Sequence, residues 1–149
     1  MSNKMVIGWR EWLSLPELDL VRIKAKIDTG ARTSALHAFE VESYTNDGIE
    51  MVRFLMHPVQ DNLDIIKECH ARVIDERHVT DSGGHKEKRY AIKTTVKLGE
   101  KEWPVEITLT NRDTMKFRML LGRTAMKDIV VEPSASYLFG KPKSHSKKK

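Results

Sequence analysis

The stretch Ile27-Asp28-Thr29-Gly30-Ala31 places a carboxylate where an alternating strand ends, with a glycine two residues further on. Glycine lets the backbone turn sharply at that point and aim its N–H groups at the carboxylate. The threonine hydroxyl can bond across to a neighbour. A carboxylate held in this way can exchange protons with water or with a substrate. The same three residues also make ordinary turns, and nothing within them chooses between the two readings. A second notable run lies far along the chain, Met119-Leu120-Leu121-Gly122-Arg123, apolar and then abruptly glycine and arginine.

Other chemistries find less support. Cys69 is the one cysteine. A single thiol cannot form an internal disulfide, cannot build a thiolate zinc cluster, and has no histidine partner predictable from its surroundings, so nucleophilic cysteine catalysis is not expected. Six histidines, His37, His57, His70, His78, His85 and His145, are scattered, and no pair sits on a helix around a glutamate in the zinc-protease manner. His70, His78 and Glu76 are the set that a barrel could bring together, which keeps a metal-dependent hydrolase as an alternative, although no metal is expected. No glycine-rich loop ends in Lys-Ser or Lys-Thr, so a P-loop nucleotide site is excluded and no cofactor is expected.

The elements that must position these residues show a period of two. Val21, Ile23, Ala25 and Ile27 alternate with Arg22, Lys24 and Lys26, as in a half-buried strand. Residues 34–44 predict a second strand, which turns at Asn46-Asp47-Gly48 and returns over residues 49–57. Residues 69–79 and 88–98 predict two long strands around the turn Asp81-Ser82-Gly83-Gly84-His85. Gly99-Glu100 predicts a tight turn into a strand over residues 102–110. Met119-Leu120-Leu121 has the composition of a strand buried on both faces. Residues 124–128 predict a helical turn or two, and Ile129-Val130-Val131 a last strand. Pro16, Pro58, Pro104 and Pro133 fall at expected strand edges or loops. Trp9, Trp12 and Trp103 are expected to pack against strands, and Met115, Met119 and Met126 to fill gaps. The fold class is mainly β, a small closed or strongly curled barrel with one short helix.

With 149 residues, 40% hydrophobic and 32% charged, the chain suits one globular domain. We expect a single domain over residues 1–140 and a disordered basic tail over 141–149. The net charge of +5 comes from that tail, which holds five lysines and no acid; without it 21 basic residues face 21 acidic ones. Such a tail solubilises, or weakly holds an acidic partner such as RNA or a ribosome surface. No base-reading motif and no basic helix stripe is present, so no specific nucleic-acid binding is expected. No apolar run is long enough to span a membrane, and the first residues lack a signal-peptide core, so the expected location is cytoplasmic.

The order of Asp28-Thr29-Gly30-Ala31 after an apolar strand, a glycine-containing hairpin, and then Leu120-Leu121-Gly122-Arg123 resembles the retropepsin-like aspartic proteases. The stretches Gly8-Trp9-Arg10-Glu11-Trp12, residues 26–38, Asp75-Glu76-Arg77, Thr110-Asn111-Arg112 and residues 117–123 are similar to one branch, small bacterial proteins often called ATP-dependent zinc proteases. The resemblance runs from about residue 7 to 137. It implies a retropepsin-type barrel and a peptidase in which Asp28 is the catalytic carboxylate, supported by Thr29, Gly30 and Ala31. Leu120, Leu121, Gly122 and Arg123 would back it. It also implies a flap, for which residues 80–86 are the candidate.

Aspartic proteolysis needs two carboxylates sharing a proton, and this chain holds one Asp-Thr-Gly. Asp81-Ser82-Gly83 is the near match, but polar residues precede it instead of an apolar strand. One copy implies a homodimer with Asp28 of each subunit at the two-fold axis. Arg32 stands where viral relatives have an acid that pairs with the later arginine, so Arg123 should turn to Asp19, Glu17 or Asp128. Arg32, Gly83 and Gly84 are expected to touch substrate, an extended peptide. Branch members are associated with a ligase that adds glutamates to a ribosomal protein, which implies acidic, glutamate-rich tails as substrates. The rival reading is a non-catalytic peptide-binding adaptor on the same fold.

Overall fold

The computed structural model describes residues 4–58, 64–80, 83–111 and 117–141. Among them the strands are β1 (Met5–Gly8), β2 (Arg10–Leu15), β3 (Leu20–Asp28), β4 (Ser34–His37), β5 (Phe39–Asn46), β6 (Ile49–Met56), β7 (Lys67–Thr80), β8 (Lys86–Leu98), β9 (Lys101–Thr110), β10 (Met119–Gly122) and β11 (Ile129–Glu132). Single 3-10 turns cover Pro16–Leu18 and Arg123–Ala125. No helix among the described residues is long and apolar enough to cross a membrane.

The alternation in β3 does what its period requires. Ile23, Ala25 and Ile27 are buried, whereas Lys24, Lys26 and Asp28 lie on the opposite, more open face. This strand and five others close into a barrel, in the order β2, β3, β10, β4, β9, β8, and the pairing of Ser14 with Lys97 brings β8 back to β2. Leu13, Leu15, Ile23, Leu36, Ile92, Leu98, Ile107, Met119 and Leu121 fill the interior and are wholly buried. Each such side chain contributes about 1.5–3 kcal/mol relative to exposure. Beyond β8 the sheet continues through β7 and β6 to β5. Val52, Phe54 and Met56 of β6 and Cys69 of β7 join the same core. Separately, β1 and β11 form a parallel pair.

The hairpin at Asn46-Asp47-Gly48 forms as its sequence demands: Asp47 (φ 53°) and Gly48 (φ 79°) both take the left-handed conformation that a two-residue turn with right-handed strand twist requires. Pro104 sits within β9 opposite Thr95. It is tolerated because β4 pairs with β9 only from Ile107 onward, so the missing N–H faces no ladder.

The expected single strand over residues 34–44 is two strands with different partners. The N–H of His37 donates to the carbonyl of Arg118 at 2.9 Å, and the N–H of Ala38 to that of Thr110 at 2.9 Å. Glu40 then takes φ 50°, and a bulge between Phe39 and Glu42 sends β5 away to pair with β6. The helical turn expected over 124–128 is one 3-10 turn, Arg123–Ala125. The tail beyond residue 141 and the segment Arg112-Asp113-Thr114-Met115 lie outside the described residues.

Candidate active site

Asp28 ends β3 beside the end of β10. The two strands run parallel, with Leu120 opposite Lys26, Leu121 opposite Ile27 and Gly122 opposite Asp28. The chain then turns at Thr29, and the N–H of Gly30 donates to Oδ1 of Asp28 at 3.1 Å. The N–H of Ala31 donates to the Asp28 carbonyl at 3.2 Å. Asp28 is half-buried, whereas Thr29, Gly30 and Arg32 are exposed.

Main-chain bonds clamp this loop from behind. The N–H of Arg123 donates to the carbonyl of Ala31 at 2.8 Å, and that of Thr124 to the carbonyl of Arg32 at 3.1 Å. The Thr124 hydroxyl donates to the same Arg32 carbonyl at 2.8 Å. The N–H of Gly122 is satisfied by Oγ of the buried Ser34 at 3.0 Å. Position 122 admits only glycine, because a Cβ there would lie 2.6 Å from both the carbon and the oxygen of the Thr33 carbonyl. At position 30 the constraint is different. A Cβ there would meet Asp28 Oδ1 at 3.4 Å and nothing closer, and the backbone does not take the left-handed conformation. Nothing among the described residues obliges Gly30 to be glycine.

Arg123 does not reach for the acids suggested by sequence. Its Nη1 donates to the carbonyl of Gly30 at 3.3 Å, so it braces the loop through the main chain. Glu17 instead accepts from the Thr94 hydroxyl and the Thr95 N–H, each at 3.0 Å. Asp19 accepts from Lys67 Nζ at 2.7 Å. Asp128 sits in a turn with φ 61°.

The candidate flap is the end of the β7–β8 hairpin. Pairs run from Asp75 with Ala91 out to Thr80 with Lys86. Strand β6 pairs with β7 only as far as Arg72, and β9 with β8 only from Ala91 inward. Among the described residues the outer part is therefore a two-stranded ribbon, with a bulge between Val73 and Asp75 at its root. Arg77 ties that root to Asp75 at 3.0 Å and also to Glu106 of β9. Gly83 and Gly84 are exposed at the tip; Asp81 and Ser82 lie outside the described residues.

The remaining candidates separate. His70 and His78 lie on one strand eight residues apart, about 26 Å in an extended chain, so they do not converge with Glu76. The Cys69 thiol is buried, which pushes it up to about 11 and leaves it un-ionised and inert at neutral pH. A cleft of about 570 Å³ lies apart from Asp28, between Trp12, Leu20, Val21, Lys97 and Phe139.

One buried carboxylate that fastens the site's surroundings was not singled out from the sequence. Glu11 of β2 is completely buried, and it accepts from the N–H of Gly8 at 2.7 Å, of Leu138 at 3.0 Å and of Phe139 at 3.4 Å. It pins the segment after β11 onto the start of the barrel. Its signal is an acid at an inward position of an alternating segment, where the pattern otherwise calls for an apolar side chain.

Comparison with known proteins places this arrangement. Residues 6–142 match the RimB-like family model, described as retropepsin-like aspartic endopeptidase RimB. A probable alpha-L-glutamate ligase of Shewanella halifaxensis is 46% identical over 140 residues, which span 93% of this chain and 31% of that protein. One from Desulfotalea psychrophila is 42% identical over 144 residues, 96% of this chain and 31% of that protein. This chain thus spans under a third of the curated relatives it matches. The crystal structure of Lpg0085 from Legionella pneumophila, a protein of unknown function, superposes with a TM-score of 0.76 at 26% identity, covering 93% of this chain and 99% of that one. The chain belongs to the RimB-like family of retropepsin-like aspartic endopeptidases.

Proposed function

We propose that the protein is an aspartic-type peptidase that works as a homodimer, with the Asp28 of each subunit meeting at the two-fold axis. The observation that carries the reading is the pairing of Asp28 with Gly122: it fixes a half-buried carboxylate from behind while the loop in front of it stays open. The room left at Gly30 supports the same reading, since a glycine that its own chain does not require suits the close approach of a second loop.

In the dimer, two carboxylates a few ångström apart cannot both ionise cheaply, so they hold one proton between them. The ionised one takes a proton from water while the protonated one donates to the scissile carbonyl oxygen. Water attacks the carbonyl carbon. The carboxyl that took the proton from water passes it to the nitrogen, the C–N bond breaks to release the amine, and a hydroxyl of the tetrahedral species returns its proton to the other carboxylate. The cleft that substrate needs would be built between subunits, so one chain alone need not contain it. Substrate would lie extended beneath the ribbon of β7 and β8, near Gly83, Gly84 and Arg32. Acidic, glutamate-rich tails are the proposed substrate class, supported by the exposed cation of Arg32 beside Asp28 and by relatives that carry this unit within glutamate ligases.

That same occurrence within longer proteins favours a second reading, an adaptor that binds peptides without cutting them. One experiment separates the two. Peptides ending in several glutamates are incubated with the wild-type chain and with Asp28→Asn, and products are read by mass spectrometry. Cleavage by the wild type, lost in Asp28→Asn at unchanged melting temperature, is the expected result. Binding with no cleavage by either would establish the adaptor. Cleavage that survives Asp28→Asn and yields to a chelator would establish metal-dependent hydrolysis.

A further inference from the structure

We propose that the outer face of β2 and β3 is a docking rail for an acidic peptide segment, in which Arg10, Lys24 and Lys26 bind carboxylates while Trp9, Trp12 and Tyr137 hold two of those cations in position. The proposal builds on the acidic-substrate reading, but the rail binds whether or not the peptide is cut.

The rail follows from the alternation of two neighbouring strands. The inward residues Glu11, Leu13, Ile23, Ala25 and Ile27 are buried, which turns Arg10 and Trp12, and Lys24 and Lys26, to the outside. Arg10 lies opposite Lys26, and Trp12 opposite Lys24. Asp28 is on the same face of β3, one alternation beyond Lys26. Among the described residues, Arg10, Lys24 and Lys26 enter no ion pair, so these cations are not neutralised by an acid within the chain.

Aromatic rings fix two of these cations, Arg10 and Lys24. The Arg10 guanidinium carbon lies 4.5 Å from the Trp9 ring centre and 4.9 Å from that of Tyr137. Lys24 Nζ lies 5.2 Å from Trp12 and 6.0 Å from Tyr137, and Lys141 Nζ 5.1 Å from Trp12. Trp12 and Tyr137 stack at 5.9 Å with 30° between their planes. A cation over a ring has already lost much of its rotamer freedom, so less is lost when it meets a carboxylate.

A second, independent observation is backbone strain. Tyr137 takes φ 53°, a conformation that bulky side chains avoid. It is held there on both sides: its N–H donates to the Arg10 carbonyl at 2.9 Å, and the next two N–H groups are captured by the buried Glu11. The molecule maintains an unfavourable backbone geometry whose visible product is the tyrosine ring between Arg10 and Lys24.

The chemistry favours an acidic peptide over single-stranded nucleic acid. Bases bind by stacking on open aromatic faces. Here the rings of Trp9, Trp12 and Tyr137 already carry the protein's own cations, whose charge suits a carboxylate. Lys24 and Lys26 are two residues apart, about 7 Å along a strand, which is also the spacing of alternate acids in an extended peptide.

The test uses the full chain carrying Asp28→Asn, so that the probe survives, with a fluorescein-labelled peptide ending in glutamates, read by anisotropy. Replacing Lys24→Gln and Lys26→Gln together should weaken binding about tenfold, the size expected of two exposed charge pairs. Tyr137→Ala should weaken it several-fold with every charge retained, and Tyr137→Phe should leave it unchanged. Lys93→Gln, an exposed lysine on β8, should also have no effect. Unchanged binding in the double variant overturns the rail, as does an equal loss in Lys93→Gln, which would reveal attraction by net charge alone. An oligouridylate that displaces the peptide and binds more tightly would reassign the face to nucleic acid. Should the wild-type chain bind the peptide through these residues yet never cleave it, the rail stands and the peptidase reading falls.

Discussion

The Asp28 loop and the ribbon at the end of β7 and β8 both extend into solvent, and they are fastened by different forces. Behind the loop, main-chain N–H groups of Arg123 and Thr124 donate to the carbonyls of Ala31 and Arg32, and Gly122 fits against Thr33 with no room for a side chain. The ribbon has no third strand along its outer pairs, and the groups that tie its root are the charged side chains of Arg77, Asp75 and Glu106. Main-chain bonds set between strands of a closed barrel fix an atom's position closely. An exposed ion pair is worth about 0–1 kcal/mol, so whatever it fastens can be lifted at little cost. On the proposed reading, a carboxylate that meets its symmetry mate needs the first kind of support, and a flap that admits a peptide needs the second.

The sharpest way to break this contrast is at Gly122. Gly122→Ala forces a Cβ against the Thr33 carbonyl, and overpacking of this kind costs about 1–3 kcal/mol. Urea denaturation should place the loss at the upper end of that range, and cleavage should fall with it, because the strain is delivered to the loop that holds Asp28. Arg77→Ala should be milder, less than about 1 kcal/mol in the same measurement. On the proposed peptidase reading, in which the ribbon contacts substrate and Asp28 does the chemistry, its effect should appear in KM for long peptides, with kcat retained. If Arg77→Ala destabilised the protein as much as Gly122→Ala, the ribbon would be part of the rigid frame and the contrast would be void.

What could be read from the sequence divides along similar lines. The alternation of β3 and the hairpin at Asp47-Gly48 were legible because each is dictated by neighbours in the chain: a period of two, and two left-handed residues. The contact of Asp28 with Gly122 has no local signature, and it was reached through family resemblance. The continuous alternation over residues 34–44 concealed a change of partner at Ala38, because a chain that switches partner strands needs no glycine or proline to do so. Arg123 was expected to find an acid and found a carbonyl, since a guanidinium accepts either as partner and only geometry decides. Glu11 was missed for the converse reason. Two of the donors that satisfy its buried oxygens belong to Leu138 and Phe139, far along the chain.

A gentler test of the same contrast is pH, and it involves the arm of β5, β6 and β7. Arg53 of β6 bridges Glu42 at 3.2 Å and Glu68 at 3.5 Å, while His70 lies 2.8 Å from Glu68 on one ring nitrogen and 2.8 Å from the Tyr44 hydroxyl on the other. The hydrogen bond from His70, followed by the charge of Arg53, holds the Glu68 carboxyl below its ordinary 4.5. A depressed carboxyl binds fewer protons folded than unfolded. Its contribution is therefore complete above about pH 4.5 and is lost as pH falls through the lower folded value. The clamp on Ala31 and Arg32 contains no titrating group. Amide exchange followed from pH 6 to pH 3, corrected for the intrinsic rate, should show protection falling at Tyr44 and Arg53 while Arg123 and Thr124 keep theirs. Glu68→Gln should flatten the difference. If the arm and the clamp lost protection together, side-chain charge and main-chain bonding would not be separate fastenings in this barrel.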